Sequence, residues 1–144
     1  QDADLEYDPQ DIEDFIKIIN KLPDVDVIIG SRFNYKNYSR SHNFFNKLGN
    51  ILLTNFFNIL YSTTFTDIYS CYLCFKKDLL IVDKLKTYGF QQHAEILCQV
   101  IKKGKKFYEI PINYDGRGYE EGKKIRYYHI FSVILEIVKG KFKN

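Results

Sequence analysis

The chain has no methionine, even at its first position, few cysteines, little net charge and no apolar run long enough to cross a bilayer. Each shortage excludes something. The longest apolar stretch, Ile130 to Val138, is interrupted by Ser132 and Glu136 and falls far short of the ~20 residues of a spanning helix. Three cysteines without a secretory leader do not make a disulfide scaffold and predict a reduced, cytosolic setting. Cys71 and Cys74 form a C-x-x-C. On a strand, residues three apart face opposite ways, and no second pair completes a tetrahedral zinc site. A net charge of +3 from 21 basic and 18 acidic residues requires no nucleic-acid partner.

What is present suffices for one compact domain with a real core: 144 residues, 45% hydrophobic and 17% aromatic. Its charge is unevenly spread, with acid concentrated before Val27 and lysine and arginine dominant from Lys102 onward. The acid begins at once, in Gln1-Asp2-Ala3-Asp4-Leu5-Glu6-Tyr7-Asp8-Pro9. On an extended strand end Asp2, Asp4 and Glu6 point the same way and offer hard oxygen donors to Mg²⁺ or Mn²⁺. An acidic helix start accounts for the residues after them, with Asp8 as N-cap, Pro9 at the first position and Asp11, Glu13 and Asp14 at the positive end of the macrodipole. A carboxylate cluster at a strand's end needs the strand before it, so this sequence is expected to be the C-terminal part of a longer protein.

Further on, Ile12, Phe15, Ile16, Ile19 and Leu22 recur at helical spacing up to Pro23. Val25 to Gly30 reads as a buried strand that delivers Ser31 and Arg32 to its C-terminal end, where open α/β sheets bind ligands. Phe33 to His42, which carries Arg40, is a polar loop that reads equally as a lid or as a solvated connection. From Asn43, the positions Phe44, Leu48, Ile51, Leu52, Asn55 and Ile59 predict a long helix. A second stripe, Phe45, Phe56 and Phe57, widens its apolar face enough for burial on two sides or contact with a membrane surface.

A strand is expected over Ile68 to Phe75, a short helix over Lys76 to Lys86, a turn at Tyr88-Gly89-Phe90 and a helix over Gln92 to Lys103 with Gly104 as its C′ stop. Lys106 to Ile112 reads as a strand whose Pro111 suits a sheet edge. The loop from Tyr114 to Lys124 combines three glycines with Arg117, Lys123 and Lys124, a composition that lets backbone and cations approach an anion. Ile125 to Val138 predicts a final amphipathic helix. The basic tail Lys139 to Lys143 reads either as a solvated terminus or as attraction to an anionic bilayer.

Taken in order, the opening acidic stretch, Gly30-Ser31-Arg32, Thr66-Asp67 before Cys71-Tyr72, Gly89-Phe90 with Glu95, Glu109-Ile110-Pro111-Ile112, and Gly116-Arg117 with Glu121-Gly122-Lys123-Lys124-Ile125 resemble the C-terminal half of a family 2 glycosyltransferase. The subgroup it resembles is that of dolichyl-phosphate mannose synthase and its bacterial polyprenyl-phosphate relatives. The resemblance spans essentially the whole chain. It implies an α/β GT-A fold with a mixed sheet flanked by helices, a nucleotide-sugar donor, Mg²⁺ or Mn²⁺, and inversion at the anomeric carbon. It also implies that the N-terminal nucleotide-binding half is absent here, so the isolated piece is expected to be inactive.

By the same resemblance Asp4 and Glu6 would ligand the metal, although many relatives carry glutamine where Glu6 stands. Asp2 and Asp4 would contact the donor, Arg117 and Lys123 would close over its phosphates, and Arg32 and Arg40 would hold the phosphate of a polyprenyl-phosphate acceptor. That acceptor places the protein peripherally at the cytosolic membrane face. A phosphate arrives ionised and needs no general base, because its second pKa is ~6. A hydroxyl acceptor on a glycan or lipid would need one, and Asp67 and Glu95 are the candidates. Each has a plainer reading: Asp67 as a turn former, Glu95 as a surface residue favoured by the helix dipole. A non-catalytic module that binds a membrane surface or a partner is the reading from another class. A homodimer covering the exposed sheet edge stays open.

Overall fold

A computed structural model describes residues 6–34, 44–116 and 129–142. Three strands form its sheet in the order β2-β1-β3: β1 (Val27–Ser31) lies between β2 (Leu73–Phe75) and β3 (Phe107–Pro111). β1 runs antiparallel to β2, with Val27 opposite Phe75, and parallel to β3, with Val27 opposite Phe107 and Ser31 opposite Pro111. The chain is thus α/β with a small mixed sheet. Pro111 stands on the edge strand, where its missing N–H costs no ladder bond.

Every residue of β1 is buried, and its alternation divides the core in two. Val27 and Ile29 enter the larger cluster, under α2 (Phe44–Tyr61), α3 (Phe90–Lys103) and α4 (His129–Phe142). Ile28 points the other way, to Phe15 of α1 (Ile12–Lys21), Tyr7, Tyr72, Ile110, Ile112 and Tyr114. Gly30 follows on that same face. A Cβ there would lie 2.8 Å from Ile112 Cγ2 and 2.9 Å from Tyr72 Cβ, so close approach demands the glycine.

Several elements differ from their sequence reading, each for a local reason. α1 forms behind Asp8, whose carboxylate caps Gln10 N–H at 2.9 Å. Its core side is the narrow line of Asp11, Phe15, Ile18 and Leu22, while Ile12, Ile16 and Ile19 face outward. In α2 the buried line is Leu53, Phe57 and Tyr61, and the predicted stripe of Phe44, Leu48, Ile51, Leu52 and Ile59 is exposed. Of the strand expected over Ile68 to Phe75 only Leu73–Phe75 pairs. Before it, Tyr69 N–H donates to Asp67 and Tyr72 N–H to Ser70, and Cys71 adopts φ 61°. Side chains there satisfy the backbone in place of a ladder.

The helix expected over Lys76 to Lys86 is two single turns, Lys77–Leu79 and Val82–Lys84. Leu79 is the one buried side chain between them, too little apolar surface to seat a helix. Gly104 ends α3 with φ −72°, so it is not the left-handed stop that its position suggests. A Cβ there would lie 2.8 Å from the Phe107 ring. α4 begins at His129, and the first residues of the expected helix, 125–128, lie outside the described residues, as does Lys143 of the basic tail. Among the described residues no helix is long and apolar enough to cross a membrane.

Candidate functional site

The C-terminal end of β1 gathers the polar groups. Asp67, 0% exposed, grips Arg32 with both oxygens: Nε donates at 2.7 Å and Nη2 at 2.8 Å. The Arg32 backbone N–H donates to the same carboxylate at 3.1 Å and that of Tyr69 at 3.2 Å. A carboxylate offers about four lone-pair positions, and these four donors fill them. Burial works against the Arg32 cation, but the Asp67 charge outweighs it and holds the guanidinium well above its ordinary pKa. Arg32 is therefore a permanently charged group with two of its five N–H donors committed to Asp67.

The turn carrying Asp67 is clamped by a residue that sequence reasoning passed over as part of a strand. Glu109 of β3 accepts from the backbone N–H groups of Thr66 and Asp67 at 2.9 and 3.0 Å, and from the Thr66 hydroxyl at 2.9 Å. Burial raises its pKa, an effect those donors partly offset. Ser31 completes the clamp: its hydroxyl lies 2.7 Å from that of Thr66 and accepts from Phe33 and Asn34 N–H, each at 3.2 Å.

On the other side of Arg32 the chain's opening segment comes in. Tyr7 forms a bridge with Tyr114, and Asp115 N–H donates to the Glu6 carbonyl at 2.9 Å. Tyr114 is the link: its ring lies 5.2 Å from the Arg32 guanidinium, and its hydroxyl donates to Glu6 Oε2 at 2.9 Å. Its pKa is pushed up to about 12, by burial first, against the pull of Arg32 and with that of Glu6, so it stays a neutral donor at ordinary pH. Glu6 and Arg32, 26 positions apart in sequence, thus share one neighbour. A tyrosine in a glycine-rich loop gave little sign of this. Asp11 ties the same region down, buried and accepting from Asn113 N–H and Nδ2 at 2.6 and 3.0 Å.

Glu95 sits elsewhere. Its Oε2 accepts from Lys86 N–H, Thr87 N–H and the Thr87 hydroxyl at 2.7–2.9 Å, and it is buried at 4% exposure, not on the surface. There it fastens the chain entering α3. Asp2, Asp4, Arg40, Arg117 and Lys123 lie outside the described residues. Among the described residues no group of three or more His, Cys, Asp or Glu side chains is placed to hold a metal. The chemistry of the candidate donors Asp2, Asp4 and Glu6, all carboxylate oxygens, fits a hard divalent cation.

Next to the cluster opens a groove of about 280 Å³, lined among others by Phe33, Lys47, Ile51, Thr54, Phe65 and Thr66. The Phe33 ring lies 5.9 Å from the Arg32 guanidinium and 5.7 Å from Lys47 Nζ. Lys47 is the single charged residue of α2, and that isolation was its signal in the sequence. The described cluster is not itself an anion trap: its one guanidinium is paired with Asp67, while the Glu109 and Glu6 carboxylates are held next to it by the 66–67 turn and by Tyr114. Neither the scan against protein-family models nor the search of the curated proteins found a match to this chain.

Proposed function

We propose that this chain is the C-terminal part of an inverting, metal-dependent glycosyltransferase that moves a sugar from a nucleotide-sugar donor to a polyprenyl-phosphate acceptor at the cytosolic membrane face. The observation that supports this most is the run of contacts Glu6–Tyr114–Arg32–Asp67 at the C-terminal end of the central strand, the edge at which such sheets bind ligands. The ordered resemblance in sequence supplies the reaction class.

In this reading Asp67 is a positioning residue that fixes Arg32, and Arg32 orients the acceptor phosphate with Arg40. Lys47, at the mouth of the groove, adds a cation that the carboxylates of the cluster call for. Arg117 and Lys123 act on the donor phosphates, and Asp2 and Asp4 contact the donor. When bound, Mg²⁺ or Mn²⁺ held by Asp4 and Glu6 would neutralise the departing diphosphate. The protein's share of the chemistry is then orientation and charge, since the phosphate acceptor is already ionised. Transfer to a hydroxyl is the weaker reading, because the acceptor positions of Asp67 are filled and Glu95 Oε2 serves the Lys86 and Thr87 N–H groups and the Thr87 hydroxyl.

The test is transfer of a labelled sugar from nucleotide-sugar donors to polyprenyl phosphate by the protein containing this domain and its upstream residues. Asp4→Ala abolishes transfer, and Arg32→Lys, which cannot form the two-pronged pair, lowers it at least tenfold. Full activity in Asp4→Ala refutes the metal role. Activity that appears only with hydroxyl acceptors and vanishes in Glu95→Gln replaces this reading with the alternative.

A further inference from the structure

Two hydroxyls and a carboxylate at the end of β1 are joined in a line whose direction is fixed. Glu109 of β3 is half-buried and takes four donors: Thr66 N–H at 2.9 Å, Asp67 N–H at 3.0 Å, the Thr66 hydroxyl at 2.9 Å and Asn34 Nδ2 at 3.3 Å. An ionised carboxylate only accepts, so the Thr66 proton is committed to Glu109. The Ser31 hydroxyl, 0% exposed and 2.7 Å from that of Thr66, must then supply the proton between them. That leaves both Ser31 lone pairs for the N–H groups of Phe33 and Asn34, each at 3.2 Å. Run in this direction, every donor and acceptor on the line is matched.

What the line holds belongs to the groove. The Phe33 ring stands near both the Arg32 guanidinium and Lys47 Nζ, and it lines the groove together with Thr66. Arg32 is gripped by Asp67, whose turn Glu109 fastens. One carboxylate on the edge strand thus sets two lining residues and the cation beside them. Glutamine cannot replace it. With its oxygen toward the turn, its N–H₂ faces the Thr66 hydroxyl and Asn34 Nδ2. Thr66 then turns its proton to Ser31, and a single Ser31 lone pair remains for two N–H groups. With its N–H₂ toward the turn, it faces the N–H groups of Thr66 and Asp67. In either orientation a backbone N–H loses its acceptor.

We propose that Glu109 is a positioning residue: through the Thr66 and Ser31 hydroxyls it holds Phe33 and Asn34, and through the Asp67 turn it holds Arg32, in the arrangement that receives an acceptor phosphate. The phosphate rests on the function proposed above; the hydroxyl line does not, and the two are tested separately. The line is tested by amide hydrogen exchange on the whole isotope-labelled chain, without substrate. In Glu109→Gln at least one of the N–H groups of Phe33, Asn34, Thr66 and Asp67 exchanges about tenfold faster, while those of α1 and α3 keep their parent rates. Ser31→Ala separates the links and decides the matter should Glu109→Gln fail to fold: Phe33 and Asn34 exchange faster, and Thr66 and Asp67, still held by Glu109, do not. Unchanged exchange at all four in Glu109→Gln, or faster exchange of Thr66 and Asp67 in Ser31→Ala, overturns the proposal. In the protein with its upstream residues, Glu109→Gln raises the KM for polyprenyl phosphate about tenfold with kcat nearly unchanged. Asp26→Asn, which takes a carboxylate from the Lys105 and Lys106 N–H groups at the other end of β1, moves neither. A fall in kcat alone, or equal effects in the two variants, makes Glu109 a clamp on the fold only and overturns the positioning role. Absence of sugar transfer in the parent with the exchange pattern intact counts against the enzyme alone.

Discussion

Replacing Asp67 by asparagine tests whether the Arg32 pair is a structural anchor. Asp67 is 0% exposed and the Arg32 side chain 11%, so bulk water does little to screen either charge. Asparagine keeps the size but removes the counter-charge, and it turns an amide N–H₂ toward a guanidinium that also donates. Removing one partner of a buried pair costs ~3–5 kcal/mol, because the other charge is left uncompensated. Two charge-assisted hydrogen bonds at ~1.5–3 kcal/mol each give a similar figure. Domains are stable by only ~5–15 kcal/mol. At a urea m-value of ~2 kcal/mol/M the midpoint of Asp67→Asn should fall by about 1.5–2.5 M. Arg32→Met with Asp67→Leu should recover roughly half of that, since the Arg32 and Tyr69 N–H groups stay unmatched. A midpoint within ~0.5 M of the parent would refute the reasoning and return Asp67 to candidacy as a general base.

At the opposite end of β1, Asp26 accepts from Lys105 and Lys106 N–H and from Lys76 Nζ at 2.8–3.1 Å. Its pKa is lowered to about 2 by the Lys76 hydrogen bond first and then by the two backbone donors. A carboxyl depressed in the folded state contributes stability that is whole above about 4 and lost as the pH falls through about 2. The melting-temperature gap between parent and Asp26→Asn should therefore close between those pH values; a gap that stays constant over pH 5 to 2 would contradict the assignment. Gly30→Ala forces a methyl between Ile112 and Tyr72, where contacts would be 2.8 and 2.9 Å. It should cost about 1–3 kcal/mol in chemical denaturation, and an unchanged midpoint would show that Ile112 and Tyr72 give way.

The elements set by periodicity were legible. α1, α2 and α3 formed where apolar residues recur at helical spacing, and β1 where a β-branched run stands between helices. Which face of α2 turns inward was not, because Phe44, Leu48 and Leu52 are as apolar as Leu53 and Phe57, and only the neighbouring α3 and α4 decide between them. The strand expected at Ile68 lost to hydrogen bonds made by Asp67 and Ser70, which periodicity does not register. At the site, the place of Arg32 just past the C-terminal end of β1 followed from the strand reading. Tyr114 as the link between Arg32 and Glu6, and Glu109 as the clamp, did not, since each depends on side chains that meet across more than 40 positions of sequence. Lys47 could have been singled out as the lone charge in an apolar helix.

The central claim is that the opening carboxylates hold a divalent cation beside Arg32, and paramagnetic relaxation tests it most directly. Mn²⁺ is titrated into the isotope-labelled chain with inorganic pyrophosphate present, and line broadening is followed residue by residue. The account predicts that Glu6, Tyr7, Arg32 and Tyr114 broaden first, and that Asp4→Asn removes the effect. Broadening that begins instead at Asp24, Asp78 and Asp83, or that persists in Asp4→Asn, would contradict it.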